Sequence, residues 1–323
     1  MEMEHAIDGF LLAIRADGYA PATVELYRYV LETLSAFLEN TDVEKIKPAD
    51  LQRYFVFLRD EYQPRRSSGD VSPLAGGSLQ NHWKGVRAFF GWAAYELKLK
   101  ARPDEKLKLP DSNPRVIHPL EHDEIRALLA AAERTAQANP GNRKPFTMKR
   151  ATAHRDLAII LVLLDTGLRV GELARLTVGD VNMQTGEITV APYGESRRKT
   201  KGRAVFIGKS ALKALWRYLA ERNETTQRDP LFISKDGDSM NRNSIRHLLT
   251  DLGERAGLRE NAHPHRFRHT FAIEFLRNGG DVFSLQRILG HSSLDMVRVY
   301  LELAQADAQN AHRRASPADR WKL

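Results

Sequence analysis

The sequence predicts a mainly α-helical protein of two domains carrying one small antiparallel β-sheet. Three observations support this. Apolar residues recur three and four positions apart through most of the chain, the spacing of one helix face. Between Glu187 and Ile207 the pattern switches to two short strand-forming runs around a charged tip. Residues 98–119, KLKARPDEKLKLPDSNPRVIHP, hold four prolines and alternating charge with no apolar period, so a linker over 106–119 separates a domain at 1–105 from one at 120–323. A chain of 323 residues has room for both.

The first domain reads as four helices. Ile7, Phe10, Leu11 and Ile14 form one stripe, which Gly18-Tyr19-Ala20-Pro21 breaks. Leu26, Tyr27, Val30, Leu34 and Phe37 form a second, and Leu51, Phe55 and Leu58 a third after a connector at 42–48. Residues 64–77 are a loop by their Gly, Ser and Pro content. A fourth helix from Ser78 then carries Trp83, Val86, Phe89, Phe90 and Trp92.

In the second domain, Glu121-His122-Asp123-Glu124 opens a helix with acids where the macrodipole favours them. A surface loop is expected over 138–149, and a buried helix over 156–164. Glu187 to Val190 and Ala204 to Ile207 read as the two strands. The tip between them places five cations, Arg197, Arg198, Lys199, Lys201 and Arg203, within seven residues. Helices follow at 210–221 and 241–256, and a last short one at 304–314.

Composition narrows the function classes. Lys and Arg number 49 against 41 for Asp and Glu, a net charge of +8 that favours polyanionic partners. The chain has no cysteine, which excludes disulfides, thiol catalysis and Cys-ligated zinc. The start, MEMEHAIDGF, lacks the layout of a signal peptide, and the longest apolar run, Leu157 to Leu164, is too short to span a bilayer. A cytoplasmic, nucleoid-associated protein with no membrane partner is expected.

Chemistry concentrates between His263 and Tyr300, where His265, Arg268, His269, His291 and Tyr300 fall within forty residues. His265 and Arg268 are three apart and share a helix face. Singly, such residues are usually packing or surface groups. Together, imidazoles and an always-charged guanidinium suit a phosphate, and a phenol beside it is a nucleophile able to hold phosphorus covalently. Upstream lies Thr166-Gly167-Leu168-Arg169-Val170-Gly171-Glu172-Leu173. With that segment, a lysine in the hairpin, His-x-x-Arg-His, Leu-Gly-His and a tyrosine nine residues on, the chain resembles the tyrosine recombinases, the integrase family that includes the Xer-type resolvers.

The resemblance implies a helical core-binding (SAM-like) N-terminal domain and a tyrosine-recombinase catalytic domain. It implies a site-specific enzyme that cleaves and rejoins double-stranded DNA through a 3′-phosphotyrosine, for integration and excision or for dimer resolution, with no ATP, metal or other cofactor. Tyr300 would be the nucleophile. Arg169 and Arg268 would grip the non-bridging oxygens, and His291 would add a hydrogen bond. His265 would move a proton near the tyrosine. Lys199, or alternatively Lys201, would protonate the leaving 5′ oxygen. Glu172 would orient the cations, and His269 would support from behind. Arg65, Arg66, His82, Lys84 and Arg87 in the first domain, with Arg197, Arg198 and Arg203 in the hairpin, are the candidate DNA contacts.

The implied partners are recombination-site DNA, a homo-tetramer or a hetero-tetramer with a paralogue joined through the C-terminal helix, and an accessory directionality factor. A type IB-like topoisomerase, relaxing supercoils as a monomer, and a catalytically idle DNA-binding regulator are the rival readings. His265 and His269 lie four apart, as metal ligands do, but no HExxH arrangement accompanies them.

Overall fold

The computed structural model describes residues 1–64, 71–111, 118–135, 146–192, 202–222, 224–290, 295–304 and 316. They fall into two units that divide near residue 115. The first holds α1 (Met3–Ala16), α2 (Pro21–Phe37), α3 (Pro48–Asp60) and α4 (Gly76–Glu96). Pro21 and Pro48 each begin a helix, where the missing N–H costs nothing and the fixed φ is already helical. The four apolar stripes meet in one core of Phe10, Leu31, Leu34, Leu51, Tyr54, Leu58, Phe89 and Phe90. Within it Phe10 and Phe89 pack edge to face at 5.8 Å.

One of the expected phosphate contacts in this unit serves the fold. His82 is a correction: it is 2 % exposed, and its Nδ1 lies 2.9 Å from the Tyr54 hydroxyl. It occupies the buried face of α4 with Val86, Phe89 and Ala93, and burial lowers its pKa to about 4. Neutral and covered, it is no phosphate ligand. Arg87 stacks over Trp83 at 5.0 Å and faces the fully buried carboxylate of Asp104 at 3.8 Å. Arg102 meets the same carboxylate at 2.6 Å. Trp83 Nε1 donates to Leu107 O and Gln80 Nε2 to Pro110 O. Residues 102–110, part of them expected as free linker, are thereby held against α4. Lys84 points outward and is exposed.

The second unit contains α5 (His122–Glu133), α6 (Ala153–Thr166), α7 (Val170–Leu173), β1 (Glu187–Val190), β2 (Arg203–Phe206), α8 (Lys209–Ala220), α9 (Arg242–Arg255), α10 (Pro264–Arg277), α11 (Val282–Leu289) and α12 (Asp295–Ala304). The strands pair antiparallel with Glu187 opposite Phe206 and Val190 opposite Arg203, so the second strand starts one residue before the expected position. Helix α6 is buried along most of its length and packs against α5, α8 and α10. Its core partners include Leu128, Leu173, Val205, Leu215, Leu249 and Phe267. The helix expected at 304–314 lies outside the described residues apart from its first position. Among the described residues no helix is long and apolar enough to cross a membrane.

The start of this unit is fastened to α10 by Arg266, inside the His-x-x-Arg-His segment, and by Thr270, which follows it. Arg266 donates to the carbonyls of His118, Pro119 and Glu260 and to Glu124 Oε2 at 2.8 Å. Thr270 Oγ1 accepts from Leu120 N at 2.7 Å. Arg266 is therefore the structural arginine of that segment, facing away from Arg268 because the two lie two positions apart on a helix.

Candidate active site

Four segments distant in sequence converge at one end of α10. The first is the turn from α6 into α7. Gly167 caps α6 in the left-handed conformation (φ 58°), and a Cβ there would sit 2.5 Å from Phe271 and 2.9 Å from Leu289. Glycine thus meets both a backbone and a packing demand. Arg169 then caps α7. Its amide donates to Glu172 Oε2 at 2.8 Å, and its half-exposed guanidinium reaches Oε1 at 3.3 Å.

Arg268, on α10, is 4 % exposed and spans two of these segments. Its guanidinium donates to Gly167 O and to Leu289 O, each at 2.7 Å. Burial and the nearby charge of Arg169 lower its pKa to about 10, which leaves it cationic at neutral pH. The Leu289 carbonyl belongs to the last turn of α11, whose end carries partial negative charge, so the arginine also completes a helix terminus.

Tyr300 comes from α12 and is 1 % exposed, packed among Phe271, Ala272, Leu285, Leu289 and Val297. Its hydroxyl shares a hydrogen bond of 2.8 Å with His269 Nδ1. Burial raises the phenol's pKa, and the charges of Arg268 and Arg169 offset only part of that rise. His269 is lowered to about 4, first by burial and then by His265, His263 and Arg268. The group beside the hydroxyl at neutral pH is a neutral imidazole able to accept a proton. A buried phenol, a neutral proton acceptor and two guanidiniums are the parts that in-line attack on a phosphodiester requires.

The phage integrase family model matches residues 118–307, and the N-terminal SAM-like domain model of phage integrases matches residues 7–98. The chain belongs to the phage integrase family. It is a site-specific tyrosine recombinase, and its mainly helical fold with a two-stranded sheet agrees with that membership. Tyrosine recombinase XerC of Leptospira interrogans serogroup Icterohaemorrhagiae serovar copenhageni is 27% identical over 304 residues, covering 93% of this chain and 88% of the relative. XerC of Actinobacillus pleuropneumoniae serotype 7 is 31% identical over 231 residues, covering 71% and 69%. Among solved structures, XerA recombinase is 28% identical with a TM-score of 0.50, covering 98% of this chain and 99% of that one. The Tn1549 transposon integrase in complex with transposon right end DNA shares the fold at a TM-score of 0.73 and 19% identity, covering 98% and 100%.

Within this recombinase the structure brings together Arg169, Glu172, Arg268, His269 and Tyr300. His265 lies one turn before His269 at the exposed rim of α10, its ring 6.3 Å from that of His269. Its pKa is lowered by burial of part of the ring and by His263, Arg268, Arg246 and Arg169. α12 crosses α10 at position 269, so the imidazole that meets the Tyr300 hydroxyl lies one helical turn after His265. Arg203 NH1 and NH2 hold both oxygens of Glu172 at 2.9 and 2.8 Å, and its Nε donates to Ile288 O at 2.6 Å. All three of its nitrogens face protein acceptors, and its side chain is 15% exposed. Lys199, Lys201, His291, Arg65, Arg66, Arg197 and Arg198 lie outside the described residues.

Proposed function

We propose that this recombinase cuts one strand of a double-stranded recombination site by attack of Tyr300 Oη on a backbone phosphorus. The P–O bond to the 5′ oxygen breaks, a 3′-phosphotyrosine forms, and His269 Nδ1 takes the phenolic proton. Arg169 and Arg268 neutralise the non-bridging oxygens as charge accumulates in the transition state. Arg268 is suited to this because it is fixed from behind by two backbone carbonyls, so little reorganisation accompanies the reaction. His291 adds a donor, and Lys199 or Lys201 protonates the departing 5′ oxygen. Attack by a 5′ hydroxyl of another strand reverses the step and completes exchange without ATP or metal. The observation that carries this reading is the Tyr300–His269 hydrogen bond within the field of both arginines.

The domain assignment belongs to the same proposal: residues 1–105 clamp the duplex, 106–119 link, and 120–323 perform the chemistry on site-specific DNA. Lys84, Arg87, Arg65, Arg66, Arg197 and Arg198 are its phosphate contacts. Four copies, identical or paired with a paralogue, act on two sites in the nucleoid of the cytoplasm, exchanging C-terminal segments, with a directionality factor for excision.

A nicked suicide duplex tests the chemistry, because the short cleaved strand diffuses away and leaves the adduct. Wild-type protein is expected to form a covalent adduct that maps to Tyr300, and Tyr300→Phe to bind without forming one. An adduct formed by Tyr300→Phe, or none by wild type on its own site, overturns the proposal.

A further inference from the structure

Glu172 and Arg203 form an ion pair that the proposed chemistry does not use. Their side chains are only 11% and 15% exposed, and both guanidinium NH2 groups engage both carboxylate oxygens. Burial by itself raises the Glu172 carboxyl, but hydrogen bonds from Arg203 and from the Arg169 amide outweigh it and hold the pKa below the usual range. The pair is therefore a fixed charge couple whose fork geometry lysine cannot reproduce.

What each partner holds matters more than the pair itself. Glu172 accepts from both the backbone and the guanidinium of Arg169. At the other end of the pair, Arg203 Nε donates to Ile288 O, one residue before the carbonyl that anchors Arg268. Gly290 follows in the left-handed conformation (φ 65°), and a Cβ there would lie 3.1 Å from Arg203 NH1 and 3.2 Å from its Cζ. The glycine thereby gives the guanidinium its path under the end of α11. Two consecutive carbonyls of that helix end are each taken by an arginine, one from β2 and one from α10.

We infer that Arg203 is a positioning residue for strand cleavage, setting the separation of Arg169 and Arg268 by clamping the Arg169 turn, through Glu172, to the end of α11. It touches neither phosphate nor tyrosine. The inference rests on the proposed phosphate-gripping role of the two arginines. An arginine pair displaced by about 1 Å loses on the order of 10²-fold in rate without losing bound DNA.

The test compares cleavage of a nicked suicide duplex carrying either a normal phosphodiester or a methylphosphonate at the cleaved position. Replacing a non-bridging oxygen by methyl removes the charge that the arginines neutralise. Arg203→Lys is expected to slow phosphodiester cleavage by about 10- to 100-fold with unchanged duplex affinity. On the methylphosphonate its rate should come within about threefold of wild type, since the charge that the arginines neutralise is gone. Glu172→Gln, a second variant that preserves side-chain shape, should show the same contrast. The double variant should be no slower than the slower single one, as expected of residues acting as a unit. Equal slowing on both substrates, a wild-type rate, or additive losses overturn the inference. If wild-type protein forms no adduct at all, the proposed function fails instead.

Discussion

At the scale of single residues, position on a buried helix face decides which titratable groups do chemistry. His82 and His269 are both pulled down to about 4 by burial, yet one faces a tyrosine inside a helical core and the other the candidate nucleophile. Their folded-state pKa values lie below the ordinary 6.5, so the unfolded chain binds more protons between those limits. Stability is fully present above about pH 6.5 and is lost as pH falls towards about 4, by up to about 3 kcal/mol for His82 and by less for the more exposed His269, whose charge solvent screens. Denaturation midpoints at pH 7 and pH 5 should show this decline, and His82→Gln should flatten part of it; an unchanged slope would contradict the burial. For chemistry, His269→Asn should slow adduct formation by about 100-fold or more while His265→Asn costs less, as proton transfer by a positioned side chain predicts. Single-turnover rates on the suicide duplex distinguish the two. The signal for His82 was present in sequence, since positions 82, 86, 89 and 93 continue one helical face. The charged surroundings of Lys84 and Arg87 masked it.

At the scale of elements, the site is built where helices end. The turn after α6 presents the Gly167 carbonyl and Arg169, and the end of α11 presents the carbonyls of Ile288 and Leu289. Helix termini leave carbonyls unpaired, and two guanidiniums satisfy these. Gly167→Ala is expected to destabilise the protein by about 2 kcal/mol or more, because a left-handed backbone and a Cβ against Phe271 are penalised together. Chemical denaturation measures it, and a variant as stable as wild type would mean that α10 and α11 shift freely. Most elements were legible, because α1 to α4, α6 and the hairpin follow apolar periods of 3.6 or 2. The short α7 was legible only as a motif, since four residues carry no periodicity.

At the scale of the whole molecule, an excess of eight positive charges suits a polyanionic duplex. Release of condensed counterions makes such binding steeply salt-dependent. Affinity should fall by about 10³- to 10⁵-fold between roughly 50 and 200 mM salt if some six to ten phosphates are neutralised. Fluorescence anisotropy on a labelled duplex tests this, and a flat response would argue against an extended phosphate interface. Lys84→Ala should reduce the slope by about one unit, whereas His82→Ala should weaken folding without changing it.

Sequence by itself determined the helical class, the small sheet, the family and the identities of Arg169, Arg268 and Tyr300 as a group. Local periodicity and the spacing of chemically reactive side chains are properties of the chain alone. Tertiary structure decided which imidazole meets the phenol, that His82 is core, and that Arg203 pairs with Glu172. Those outcomes depend on where helices cross and which donors find acceptors across gaps of 31 and 85 residues, and a hydrogen bond at such separation leaves no period in the sequence.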